Sequence, residues 1–312
     1  MIRPVDINLY NSLKNQLEEF HRLKIPLLGI KDQQKNKCFI MQIIESIRRI
    51  KYINTLNRNP IEPDVTNPLN EGFNPLKAAI FNFRNGNFEE ACWLVFLYVH
   101  FGESRQSGWP LTKSFYNKLG QGSWDWQAIN SKKNTLQQWL SQNEKQLQSC
   151  GKFGNHRKYQ SIKPTTQSGV GTAEVIESYI GWVEKSGSHM LLLKNLHNRQ
   201  FDPQEMFEHF YQSLDEVKSF GRVAKFDYLS MMGKLSFFPV EPGHPYLINS
   251  TGPINGAKLL FGDHNSTPKS LNQNTACLGN HLNLNSDFKM QILEDALCNW
   301  QKSPGNFIPF RN

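Results

Sequence analysis

SFGRVAKFDYLSMMGKLSFFPVEPGHPYLINSTGPINGAKLLFGD, residues 219–263, holds the turns and helix starts from which the fold is read. Phe220-Gly221-Arg222 forms a turn feeding a helix that carries Asp227. Thr251, Gly252 and Pro253 mark a second helix start: a hydroxyl residue at the N-cap position, then proline in the first turn, where its missing N–H leaves no bond unmade. Between them runs a segment rich in Pro and Gly that bears Glu241 and His244. A glycine turn opening onto a helix N-terminus gathers unpaired N–H groups at the positive end of the helix dipole, which suits phosphate. Gly221, Arg222 and Gly252 are therefore candidate contacts to a phosphate backbone. Asp227, Glu241 and Asp263 are candidate acids beside a nucleotide held there. The same residues equally suit an ordinary helix–loop–helix, with Asp227 paired to Lys225 or Arg222 at the surface.

Working outward, the pattern is helical. Residues 7–24 place Leu9, Leu13, Leu17 and Phe20 at helical spacing, and residues 39–56 do the same with Ile40, Ile43, Ile44, Ile47 and Ile50. Arg48, Arg49 and Lys51 fall at the end of that second helix, where they either complement its dipole or reach phosphate. Residues 59–68 hold three prolines and form a loop. Residues 73–83 and 88–102 read as a helical hairpin broken at Asn85-Gly86-Asn87. The second arm, FEEACWLVFLYVHFG, is apolar almost all round and is expected to be the buried central helix. Its His100 is either a core histidine or part of a pocket.

In residues 108–130, Trp124 and Trp126 flank Asp125. They read either as packing or as the wall of a base pocket, since flat rings hold a base by its π face. Residues 150–183 concentrate cations at a Phe-Gly turn: Lys152, His156, Arg157 and Lys158, with Asn155 and Tyr159 interleaved. Such a set suits fixing a nucleic-acid backbone and reaching a base edge. Gly171 and Thr172 then start a helix through Tyr179. Residues 201–217 are amphipathic, residues 263–284 form a long Asn-rich loop, and residues 288–302 make a last helix with Glu294 and Asp295.

The whole reads as all-α with long loops, as one unit or as two lobes (1–150 and 151–312) with a cleft between. Lys and Arg outnumber Asp and Glu by 35 to 27, a net charge of +8 and a pI near 9.1, so a polyanion is the first partner to consider. The five cysteines are scattered, with no zinc-knuckle spacing, and the opening residues lack a signal-peptide core; cytoplasmic residence with reduced thiols is expected. No apolar run reaches the length of a membrane span. Phosphate-loop, dinucleotide and metalloprotease motifs are missing, so no metal and no cofactor is expected, and nothing marks an obligate protein partner.

As an ordered set, FNPLKAAIFN, FEEACWLVFLYVHFGES, WDW, FGNHRKYQS, GRVAKFDYLSMMGKL, GPINGAKLLFG and EDALCNWQK resemble the alpha-glutamyl/putrescinyl thymine pyrophosphorylase family, in its third clade, over residues 38–302. The resemblance implies a fold like that of the helical, helix-hairpin-helix-related DNA glycosylases and business with hypermodified bases in phage DNA. The expected activity is a monofunctional glycosylase that flips and excises a pyrimidine of the glucosylated 5-hydroxymethylcytosine type from double-stranded DNA. It would leave an abasic site as anti-phage defence. The alternatives are a transferase or pyrophosphorylase of thymine hypermodification, and a non-catalytic reader of modified DNA. Helical glycosylases deliver a catalytic Asp at the helix start after the hairpin. Phe220-Gly221-Arg222 would stand for the hairpin, but Asn249, Ser250 and Thr251 occupy the following start, so the acid must come from elsewhere. Glu294 and Asp295 stand in reserve behind Asp227, Glu241 and Asp263.

Overall fold

The computed structural model describes residues 2–131, 133–197 and 200–309. Among these there are fourteen α-helices and no β-strand; two isolated bridges, Ser104 with Gly108 and Ser161 with Gly171, are the only extended pairings. The fold is all-α. No helix among the described residues is long and apolar enough to cross a membrane.

Contacts divide the chain into two compact units, one of residues 1–55 and 241–312 and one of residues 56–240. The chain opens with α1 (Ile7–Leu23) and α2 (Gln33–Leu56). It then builds the second unit from nine helices. These are α3 (Pro75–Arg84), α4 (Phe88–Phe101), α5 (Pro110–Tyr116), α6 (Trp126–Ser131), α7 (Lys133–Cys150), α8 (Thr172–Glu184), α9 (His189–His197), α10 (Pro203–Ser213) and α11 (Arg222–Lys234). It returns to the first unit with α12 (Gly252–Phe261), α13 (Pro268–His281) and α14 (Lys289–Trp300).

In the first unit the isoleucine face of α2 (Ile40, Ile43, Ile47) joins Leu13, Leu17 and Phe20 of α1 in one core with Leu293, Leu297 and Trp300 of α14. Helix α12 approaches α14 closely because Gly256 has no side chain: a Cβ there would lie 2.4 Å from the Leu297 carbonyl oxygen. Gly252 does the same one turn earlier, where a Cβ would meet the Cys298 sulfur at 2.8 Å. Thr251 holds the N-cap position of α12, as expected, but its side chain makes no capping bond.

In the second unit α4 is central. Ala91 through Leu97 are fully buried, with α3, α5, α6, α9 and α11 packed around them. The break at Asn85-Gly86-Asn87 falls between α3 and α4, with Gly86 at φ 79°, and Asn74 caps α3 by accepting from the Leu76 and Lys77 amides. The starts of α8 at Gly171–Thr172 and of α11 at Gly221–Arg222 also stand where their sequences put them.

The expected loop over residues 263–284 is corrected: most of it is α13. Its Asn-rich composition hides a helical stripe, with Leu271, Thr275 and Leu278 buried at spacings of four and three. Thr267 caps the start by accepting from the Ser270 amide, and Pro268 follows at the first helical position.

Candidate functional site

The candidate site lies at the C-terminal end of α4, where the last carbonyls of a buried helix need donors. The turn around Asn155–Arg157 supplies them. The Gly154 amide donates to the Phe101 carbonyl at 2.8 Å, and Arg157 Nε donates to the Val99 carbonyl at 2.8 Å. Only glycine fits at 154, since a Cβ would sit 2.8 Å from the Glu103 carbonyl oxygen. Arg157 is thus a buried cation that closes the negative end of α4, with only 4% of its side chain exposed.

Its remaining nitrogens reach outward. Nη1 donates to the Tyr159 hydroxyl at 3.3 Å and Nη2 to Asp227 Oδ2 at 3.4 Å. Asp227 is therefore held by Arg157, seventy positions earlier, rather than by Lys225, which pairs with Asp215 at 2.5 Å. Its side chain is 45% exposed, so a fixed carboxylate meets solvent beside a fixed phenol. Behind them His100 is buried among Phe96, Phe101 and Phe153; burial and then the Arg157 charge push its pKa down to about 3, so it is a neutral core histidine. Gln160 ties this turn to the start of α11, donating to the Ser219 hydroxyl at 2.7 Å.

The structure thus brings Arg157, Tyr159 and Asp227 together, with Asn155 and His156 on the same turn. Lys152, Asn155, His156 and Lys158 are exposed around them. Gly221 is exposed at the N-terminus of α11, and the Arg222 guanidinium lies 5.3 Å from the Phe226 ring centre. Trp124 is buried, under the Lys118 ammonium at 4.4 Å and edge-on to Trp139, while its carbonyl accepts from Trp93 Nε1. Trp126 is half-buried and packs on His189 at 4.7 Å.

The remaining candidates lie in the first unit. Arg48 pairs with Asp6 and Glu45, and Arg49 with Asp295 at 2.8 Å, so both guanidinium groups have carboxylate partners within that unit. Glu241 is half-buried and Glu294 buried. Asp263 is exposed and directed at its own loop, accepting from the Asn265 and Ser266 amides at 3.0 Å and from the Ser266 hydroxyl; these bonds lower its pKa. Among the described residues no cluster of His, Cys, Asp or Glu could hold a metal ion.

Two polar constellations went unmarked in the sequence. In the first, Glu89 accepts from His189 Nδ1 at 2.6 Å and from the His189 and Met190 amides at the start of α9. His189 Nε2 meets the Tyr179 hydroxyl at 2.7 Å, which meets the Tyr228 hydroxyl at 3.0 Å. Burial lowers the His189 pKa despite Glu89 and so favours the neutral imidazole; in that form Nδ1 donates to the carboxylate, which leaves Nε2 to accept from Tyr179 and Tyr179 to accept from Tyr228. Burial would raise Glu89, but the hydrogen bonds from the His189 side chain and the two amides outweigh it and hold the carboxyl below the usual carboxylate range. The chain ties α4, α8, α9 and α11 together.

In the second, Glu90 accepts from the Tyr116 hydroxyl and the Trp126 amide, each at 2.6 Å. Burial pushes its pKa up to about 7, against the pull of those two bonds. The folded state therefore holds a proton that the unfolded chain releases near pH 4.5. Stability from this group is full below that value and falls as pH rises to about 7, by about 3 kcal/mol at 1.36 kcal/mol per unit. Melting curves from pH 5 to about 8 should show the decline in the native protein and a flatter profile in Glu90→Gln.

The sequence blocks thus have structural meaning: FGNHRKYQS closes α4, GRVAKFDYLSMMGKL spans α11, and GPINGAKLLFG packs by its glycines on α14. The family model for alpha-glutamyl/putrescinyl thymine pyrophosphorylase clade 3 matches residues 34–312. The chain belongs to this family. No curated protein and no solved structure matches it. Membership supports an enzyme related to thymine hypermodification, and every member of the Arg157, Tyr159 and Asp227 set lies within the matched residues.

Proposed function

We propose that this family member is a DNA glycosylase that flips a hypermodified pyrimidine out of phage DNA and hydrolyses its N-glycosidic bond, with Asp227 as the working carboxylate. The observation that carries this reading is the Arg157–Asp227 pair. Of the acids marked in sequence, Asp227 is anchored by a buried cation and yet nearly half exposed. Asp263 instead spends its oxygens on its own loop.

In the reaction the bond from C1′ to the base nitrogen breaks and its electron pair leaves with the base. Water attacks C1′, and its proton passes to Asp227. A carboxylate about 4 Å from the oxocarbenium-like sugar is worth about 4 kcal/mol at an effective dielectric of 20, near a thousandfold in rate. Flipping costs a few kcal/mol of unstacking, least where pairing is already weakened. The substrate class is the glucosylated 5-hydroxymethylcytosine type, the setting anti-phage defence in the cytoplasm, and the product an abasic site.

A second reading is favoured by the family's description, which names a pyrophosphorylase of thymine modification. There an amine attacks the 5-methylene carbon, pyrophosphate leaves with the electrons of the broken C–O bond, and Asp227 takes the amine proton. Incubating the protein with glucosylated, hydroxymethylated and plain duplexes separates the two. Alkali-labile sites and free base support the glycosylase. Pyrophosphate release from a diphosphorylated duplex, with an intact backbone and a heavier base, supports the transferase.

A further inference from the structure

Tyr159 is half exposed, at 51%, in a fold that buries most of its aromatic rings. It does not hang on a loose loop. Its chain neighbour Gln160 is buried and bonded to Ser219, and Arg157, buried two positions before it, donates to its hydroxyl. Because arginine only donates, the phenol oxygen is the acceptor, and the ring is fixed in direction. Residues 151–171 around it contain Lys152, His156, Arg157, Lys158 and Lys163 and no Asp or Glu; of these cations Arg157 alone is buried. The surface therefore presents an oriented aromatic ring on a segment rich in exposed cations, with the Asp227 carboxylate next to it on the shared Arg157 guanidinium. Its complement is a polyanion with a π face open to contact, and a fully paired duplex offers the charge without the open face.

We infer that residues 151–163 form a surface selecting double-stranded DNA at an unstacked nucleotide step, with Tyr159 stacking in the gap and Lys152, His156 and Lys158 on the flanking phosphates. The surface selects disrupted stacking whether or not the base is modified. Pre-ordering the ring through Arg157 removes part of the entropy cost of binding. The inference rests on the reading of the chain as a DNA-acting enzyme, and it assigns recognition of DNA shape to Tyr159 and the exposed cations of its segment, next to the Asp227 carboxylate.

The test uses the full chain and three unmodified duplexes of one sequence: fully paired, carrying a single mismatch, and carrying a tetrahydrofuran abasic analogue. Anisotropy titrations should show the abasic duplex bound roughly tenfold more tightly than the paired one, the scale of one stacked base. Tyr159→Ala should bring that ratio near one with little change in salt dependence, and Tyr159→Phe should keep most of it. Lys158→Ala should keep the ratio and lower the log–log salt slope by about one. A ratio unchanged in Tyr159→Ala, or a native protein that binds all three duplexes equally, overturns the inference and leaves the glycosylase reading standing. A native protein that binds none overturns both. A ratio that depends on Tyr159 in a protein that releases no base from any modified duplex upholds the surface and sinks the glycosylase.

Discussion

Asp227→Asn should lower base release about a thousandfold while DNA affinity stays within about twofold. The rate loss corresponds to the Coulomb stabilisation of the sugar cation, about 4 kcal/mol, which an amide of the same size cannot supply. The small change in affinity follows from sign, since a carboxylate contributes nothing favourable to holding phosphate. Stability should change by about 1 kcal/mol or less, because the contact to Arg157 is 3.4 Å long and Asp227 is 45% exposed, where water screens the pair. The substituted amide would still offer an oxygen to the guanidinium. Asp263→Asn is the control and should retain activity, its oxygens being bonded within residues 263–266. Single-turnover rates and binding curves for both variants decide the matter. Native base release by Asp227→Asn would remove the acid from this site and return the search to Glu241, Glu294 and Asp295.

The largest effect on stability should come from His189→Leu, with an expected loss of about 3–5 kcal/mol. The substitution keeps apolar volume but leaves the Tyr179 hydroxyl without its acceptor and takes a donor from Glu89. Each buried group so stranded costs about 1–3 kcal/mol, more where it is charged. Tyr228→Phe should cost only about 1 kcal/mol, because Tyr228 is a donor at the end of the chain and its removal strands nothing. Urea midpoints for the two variants measure the contrast. If they lose equally little, the network is ordinary packing with polar atoms in it.

These residues also show where sequence reading succeeds and stops. Helix α4 was legible because an apolar run with no polar face has to be buried. The starts of α8, α11 and α12 were legible because glycine and proline act within a few positions. Helix α13 was lost because its Leu271, Thr275 and Leu278 stripe is thin and asparagine argues for a loop. The members of the proposed site were each marked as residue types: Asp227, Arg157 and Tyr159. Their relation was not, since Arg157 meets Val99 across 58 positions and Asp227 across 70, and chemistry at that range leaves no local pattern. Arg157 illustrates the difference: its charge suggested a phosphate contact, but the end of α4 claims its Nε and leaves only the outer nitrogens for the site. Glu89 and His189, 100 positions apart, were beyond local reading for the same reason.

The split of the first unit into residues 1–55 and 241–312 has a consequence for synthesis on the ribosome. The isoleucine face of α2 is made before residues 56–240, but the residues of α12, α13 and α14 that join its core arrive only after them. At 5–20 residues per second those 185 residues take roughly 10–40 seconds. For that interval a greasy helix waits without its lid, while the middle segment is contiguous and makes its compact unit from its own residues. The nascent chain is thus exposed to aggregation and to chaperone capture at α2, and translation speed through residues 56–240 sets how long that exposure lasts.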